Sequence, residues 1–358
     1  MKRIRDLLSG RALFLGLLLA LAVSAGTAVY WHYASEALRE GIERWVAERR
    51  AEGLQAGYSS LVVKGFPFRL RATVRDPVLG RPAGTAGGRD VAWEWRGSEL
   101  VASFSPWSMS HVDLKLPGTH QITLPTGPNG WTVFATAGRA EGTLGLDDSG
   151  VPDSGDFNAD DLDLLSDDGT QSVGVAHLKL SGATHEADSV PHQTATFDLS
   201  LASKGVELPA EAKLPLGGYI AVLEGQASLM GVLPPGPLLE AATAWRNDGG
   251  TIEVHRLHLE WGPLVVEAGG TLALDSNLQP IGALSAIVRG FPETVDALVA
   301  GGMVQRADGE TAKTVLGLLA RAPKGGGPPE LTVPLTLQNG WVYVGPVALA
   351  RVPELNWR

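Results

Sequence analysis

The chain has 358 residues, 44% of them hydrophobic and 19% charged, with a net charge of -10. Those values describe one large or two ordinary folded domains, exclude a disordered chain, and argue against nucleic acid as a partner. The lack of cysteine excludes disulfides, thiol catalysis and cysteine-ligated zinc, and is compatible with an oxidising compartment.

Residues 1–11 carry Lys2, Arg3, Arg5 and Arg11 against Asp6, and residues 12–31, ALFLGLLLALAVSAGTAVYW, carry no charge. As a helix that run spans about 30 Å, the thickness of a bilayer core, so a transmembrane signal anchor is expected. The basic flank predicts a cytoplasmic N-terminus and a body exported to the periplasm, anchored in the inner membrane. Tyr30, Trp31 and Tyr33 stand where an interfacial aromatic belt is expected. The alternative is a signal peptide cleaved near Val23–Ala25, leaving a soluble periplasmic protein; the apolar run continues past that point, which favours the anchor. Residues 34–53 then predict an amphipathic helix. Ser35 caps it, Leu38, Ile42, Trp45 and Val46 share a face, and Gly53 ends it. It is expected to lie on the following sheet, or on the membrane surface.

From Tyr58 the period becomes two. In FRLRATVRDP, Phe68, Leu70, Ala72 and Val74 face one way and Arg69, Arg71, Thr73 and Arg75 the other. VAWEWRG alternates likewise, with Val91, Trp93 and Trp95 against Glu94 and Arg96, and further short strands follow to Asp147. The acidic stretch from Asp147 to Asp168 places Asp156, Asn158 and Asp160 at positions 1, 3 and 5 of a calcium-loop pattern. It has Asp161 where that pattern needs glycine and Asp167 where it needs glutamate, so a solvated loop leading into a strand is expected instead. A helix is predicted from Pro237 to about Arg246, with Gly249 and Gly250 just beyond its end. Strands return from Ile252. His255 and His258 are three apart, which on a regular strand puts them on opposite faces and argues against a shared metal. Asn339-Gly340 between alternating runs signals a hairpin. The fold expected is mainly β with some α: an elongated, curved antiparallel sheet with a few flanking helices, in an N-terminal module, 58–204, and a C-terminal module with helices, 205–358.

A Gly-Phe-Pro corner occurs twice, as Gly65-Phe66-Pro67 and Gly290-Phe291-Pro292. Both follow a strand ending in a basic residue, and both read as a strand-ending corner with a buried phenylalanine. After Pro67 the chain alternates; after Pro292 it takes helical spacing.

ALREGIERWVAERRAEGLQAGYSSLVVKGFPFRL and AWEWRGSELVASFSPWSMSHVDLKLPG, following the N-terminal apolar segment, resemble the bacterial family catalogued as domain of unknown function 2125. That resemblance implies an envelope location and brings no catalytic residues. A weaker likeness, in GTLALDSNLQPIGALSAIVRGFPETVDALVAGG and LTVPLTLQNGWVYVGPVAL, is similar to the C-terminal style of AsmA-type envelope proteins, which implies lipid handling or outer-membrane assembly. The chain is much shorter than the bridge-forming members.

No nucleophile elbow, phosphate loop, His-Glu-x-x-His or dinucleotide fingerprint occurs, so no cofactor and no catalytic residue are expected. Three functions are weighed. One is a protein that shields or moves lipid acyl chains in an apolar groove lined by Phe66, Phe68, Leu70, Trp93, Trp95, Phe104 and Trp107, with phospholipid or another acyl-chain ligand as partner. The second is a non-enzymatic scaffold that binds other envelope proteins through an edge strand. The third is an enzyme whose residues converge only in space.

Overall fold

The computed structural model describes residues 2–81, 93–124, 131–185, 194–234, 236–322, 326–344, 347–352 and 354–355, with the backbone alone at 2–13, 109, 347, 349 and 350. Val91, expected on a strand face, lies outside them. One helix, α1 (Lys2–Ala51), runs from the apolar segment through the amphipathic one. Its 50 residues extend about 75 Å. Ser35 does not cap a new helix: its hydroxyl donates back to the His32 carbonyl at 2.8 Å, an in-helix bond that leaves the ladder unbroken. Phe14, Leu15, Leu17, Leu19, Leu21 and Val29 are exposed, whereas Ala34, Ser35 and Val46 are buried where α1 packs on β1 (Gln55–Gly57) and β2 (Ser60–Lys64). Gly53, at φ 83°, ends the helix as expected.

The body is a large open antiparallel sheet that forks at its N-terminal end. One branch runs β2, β3 (Leu70–Arg75), β6 (Glu99–Ser105), β7 (Ser108–Lys115). The other runs β1, β4 (Val78–Arg81), β5 (Trp93–Gly97), β8 (Thr119–Leu124). Both join β9 (Trp131–Leu146): β8 pairs with Trp131–Thr136, and β7 with Glu141–Gly145. Val46 of α1, Leu70, Ala72 and Val74 of one branch, Ala56 and His120 of the other, and Val133 of β9 are buried, so this end is closed.

Beyond β9 the sheet is a meander of neighbours: β10 (Pro152–Ser166), β11 (Ser172–Thr184), β12 (Ala195–Glu207), β13 (Tyr219–Met230), β14 (Thr251–Trp261), β15 (Leu264–Leu274), β16 (Pro280–Arg289), β17 (Glu330–Gln338), β18 (Trp341–Val344) and β19 (Val347–Arg351). Helix α2 (Leu238–Asn247) connects β13 to β14; α3 (Phe291–Ala300) and α4 (Arg306–Leu319) connect β16 to β17. The sheet passes unbroken through Gly205, inside β12. The chain exposes 22424 Å². A compact monomer of 37.6 kDa exposes about 14,000 Å², and the bare apolar length of α1 contributes to the excess.

The acidic stretch expected as a loop is strand β10 over most of its length, paired on both sides. Its acidic residues are the wet positions of an alternating strand: Phe157 and Ala159 turn inward while Asp156 and Asn158 turn outward. Only its ends are turns: Asp147–Val151, held by the Asp147 carboxylate accepting from the Ser149 and Val151 amides at 2.8 Å, and Asp167–Asp168 after the strand. A crease then crosses the sheet. Gly138, Asp161, Ala176 and Gly205 drop out of the ladder in one row, with Asp161 at φ 51° and Gly205 at φ 64°. The irregular residue shifts the alternation by one, so that Leu162 and Leu164 continue the half-buried face that Ala159 left.

A Cβ at Gly205 would stand 2.9 Å from the Ala176 Cβ on a left-handed backbone. Gly205→Ala is expected to destabilise the chain by about 1–3 kcal/mol in chemical denaturation. Gly225→Ala, where nothing lies within 4 Å, is expected to be neutral or slightly stabilising.

Candidate functional site: one apolar sheet face

Register turns scattered apolar residues into a continuous surface. One row of directly opposed residues reads Ala72, Ala102, Leu114, Gly142, Phe157, Leu180, Leu201, Gly225, Leu257, Ala268, Ala286 and Val333, from β3 to β17. Eleven strand spacings of about 4.8 Å make that row about 50 Å long. The row beside it reads Ala159, Leu178, Ser203, Leu223, Leu259, Val266, Val288 and Leu331. Across its middle this face is only half covered: Leu178, Leu180, Leu201, Leu223, Leu257 and Leu259 are partly exposed, and Leu199 is 51% exposed. At the far end, where α3 packs on β15, Ala268, Ala286 and Leu331 are buried.

At the near end the face meets α1. Ala34, Ala37, Leu38, Gly41, Ile42 and Trp45 of the helix and Phe104 of β6 line a groove of about 370 Å³, within the range of small-ligand sites. Phe104 stands opposite Leu70 and two residues along the strand from Ala102, so the groove opens onto the long apolar row. Leu38, Ile42 and Trp45 thus share a face as expected.

The opposite face is polar. Its row through Asn158, Lys179, Ala202, Glu224, His258 and Glu267 is studded with ion pairs. Arg289 donates to Glu267 at 3.1 Å and to Glu330 at 3.2 Å. Arg139 first, then Lys115, hold the Glu141 carboxyl down at about 2 by hydrogen bonding. These groups are partly to fully exposed and keep the face wet more than they stabilise it.

A second cluster lies on this face beside an open depression of about 380 Å³. The Ser228 hydroxyl donates to Asp198 at 2.5 Å and contacts His255 Nε2 at 2.6 Å, and His185 Nε2 lies 2.8 Å from the other Asp198 oxygen. The serine, aspartate and histidine come from three neighbouring strands, with no spacing signal in the sequence. The aspartate sits on the serine instead of orienting the histidine, so this is not a nucleophile relay. His255 and His258 both make their contacts on the polar face, against the expectation of opposite faces: a bulge between Val254 and Leu257 inserts an extra residue and resets the period.

The seven residues expected to line a groove are dispersed. Leu70 is fully buried and Phe104 lines the α1 groove. Trp93 and Trp95 are half-buried in the other branch, Trp95 stacked on His120 with ring centroids 5.9 Å apart. Phe66, Phe68 and Trp107 sit at strand corners and are 53%, 75% and 59% exposed. The two Gly-Phe-Pro corners therefore differ. Gly290, at φ 69°, carries Phe291 into the core with Pro292 in the first turn of α3. Gly65, at φ 113°, turns at the outer end of the β2–β3 edge, where Phe66 meets Trp31 of α1 edge-on and stays exposed. Among the described residues, no group of acidic or histidine side chains could hold a metal ion.

The fold and face define a class: an open antiparallel sheet, apolar on one side and polar on the other, joined to a helix whose N-terminal part is long and apolar enough to cross a membrane, with mean hydropathy 1.8 over its most apolar window. The chain belongs to the family described as uncharacterized protein conserved in bacteria (DUF2125), whose model matches residues 31–353. No match was found among curated proteins or among solved structures.

The Asp198 carboxyl is held below its ordinary value of 3.8 by the Ser228 hydroxyl first, then His185. A depressed carboxylate contributes stability that is present above the unfolded value and lost as pH falls through the folded one. Acid titration of stability is expected to show a small loss below pH 3.8 that Asp198→Asn lacks; identical profiles would remove the network's role.

Proposed function

We propose that the protein is a single-pass, membrane-anchored envelope protein, N-terminus cytoplasmic and body periplasmic, that shields or moves lipid acyl chains along the apolar sheet face. The observation that carries this reading is the uninterrupted apolar row from Ala72 to Val333, half covered along its middle and opening at one end into the α1 groove. A monomeric soluble protein rarely leaves so long an apolar surface without a partner. Each methylene taken from water onto it contributes about 0.8 kcal/mol, so a chain lying along the face needs no polar pocket, and its headgroup stays at the wet margin. The hydrogen bonds from Tyr30 and Trp31 into the sheet corners support an apolar segment retained with the body over one cleaved away. The likeness of the C-terminal segments to AsmA-type proteins points the same way. The reading assigns no catalytic step.

The test uses a photoreactive phenylalanine analogue in the full chain in its own membrane. Leu201 and Leu257 lie on the apolar face; Ser200 and Gln226 lie on the polar one. Lipid adducts at the first two and not at the second two are expected. Protein adducts alone, at any of the four, would replace the reading with that of an envelope-assembly scaffold.

A further inference from the structure

Two strand corners and the helix meet in an aromatic cluster that the acyl-chain track does not use. The Tyr30 hydroxyl donates to the Pro106 carbonyl at 2.8 Å, and its ring stacks on Trp107 with centroids 4.9 Å apart. Trp31 Nε1 donates to the Arg69 carbonyl at 3.0 Å, and its ring meets Phe66 edge-on at 5.7 Å. These bonds pin the β2–β3 corner and the β6–β7 corner to the helix at the last residues of its uncharged run.

The outward sides of the cluster are bare. Phe66, Phe68 and Trp107 are 53%, 75% and 59% exposed, and Tyr33 is 78% exposed. Such aromatics cost free energy in water and belong to the interfacial layer of a bilayer, where amphipathic rings collect. Behind them, Lys64 and Arg71 stand directly opposite each other on β2 and β3. Both are exposed, and neither has an acidic partner among the described residues. Like charges across a strand pair repel; an anionic surface offsets that repulsion.

We infer that the two corners dock into the membrane interface beside the α1 span, with Phe66, Phe68 and Trp107 at headgroup depth and Lys64 and Arg71 against lipid phosphates. This rests on the anchor reading above and deepens it. α1 fixes where the body stands, and the corners fix how it leans, bringing the mouth of the groove at Ala34 to the bilayer surface. The partner is the anionic lipid interface itself.

The cysteine-free chain makes the test direct. Single-cysteine variants of the full chain, Phe68→Cys, Trp107→Cys, Leu18→Cys and Asp156→Cys, carry an environment-sensitive fluorophore. They are reconstituted in vesicles of phosphatidylcholine and phosphatidylglycerol with nitroxide lipids. Labels at 68 and 107 are expected to be blue-shifted and quenched by headgroup-level nitroxides, with 18 quenched by deep nitroxides and 156 reporting water. Water-like emission at both 68 and 107, with 18 deep, overturns the docking and leaves the anchor. Water-like emission at 18 overturns the anchor reading and the docking with it. Both corner residues are exposed, so the variants are expected to fold. Omitting phosphatidylglycerol is expected to weaken quenching at 68, nearest the basic pair, more than at 18; equal quenching at 68 with and without it overturns the role of Lys64 and Arg71.

Discussion

The two-residue period of the β-strand, held in register across twelve strands, is the constraint on which the rest of the structure depends. Alternate positions of β3, β6, β7 and β9 to β17 are apolar, and pairing stacks them into one face. That face demands cover, and the described helices give it chiefly at its ends: α1 at one, α3 near β15 at the other, with α2 and α4 in the connections. A closed sandwich would need a second sheet of similar area. The fork at β9 supplies one only locally, burying residues from Val46 to Val133, and a second buried group, Ala268, Ala286, Phe291 and Leu331, lies at the far end. Between those ends the face stays half open, with Leu180, Leu201 and Leu257 partly exposed.

The other features follow from carrying so long a sheet. The crease through Asp161 and Gly205 crosses the sheet at one level, flanked by the small residues Gly138 and Ala176, and a Cβ at Gly205 would crowd Ala176 there. The polar face carries exposed charge pairs in place of packing. Their energetic value is small, but they keep this broad surface wet, so that association is left to the apolar side. The hydrogen-bonded Ser228, Asp198 and His255 ladder ties three strands where the β14 bulge interrupts the regular pairing.

Much of this was legible in the sequence, and the gaps have physical reasons. Alternation in Leu70, Ala72 and Val74 marked β3, the glycines and prolines marked the turns, and the apolar run marked the N-terminal helix. The density of aspartate in β10 hid an equally regular alternation of Phe157 and Ala159, and the shift at Asp161 broke it midway. Ser35 resembled a cap because a serine's in-helix bond to His32 leaves no trace in spacing. His255 seemed to oppose His258 because a bulge is a property of pairing and not of either strand alone. For the same reason the long apolar row was illegible: Phe157 and Val333 belong to one surface only once the intervening strands are in register. Aromatic residues, the conspicuous signal, marked the corners instead, where Phe68 and Trp107 face outward.

The central claim is that the apolar face carries acyl chains, and lipid content tests it most directly. The body from His32 to Arg358, exported to a periplasm and purified without detergent, would be extracted with organic solvent and its lipids weighed by mass spectrometry against protein. The account predicts phospholipid or another acyl-chain ligand in roughly stoichiometric amount. A lipid-free, soluble monomer would contradict it, because nothing else would then cover the surface from Phe157 to Leu257.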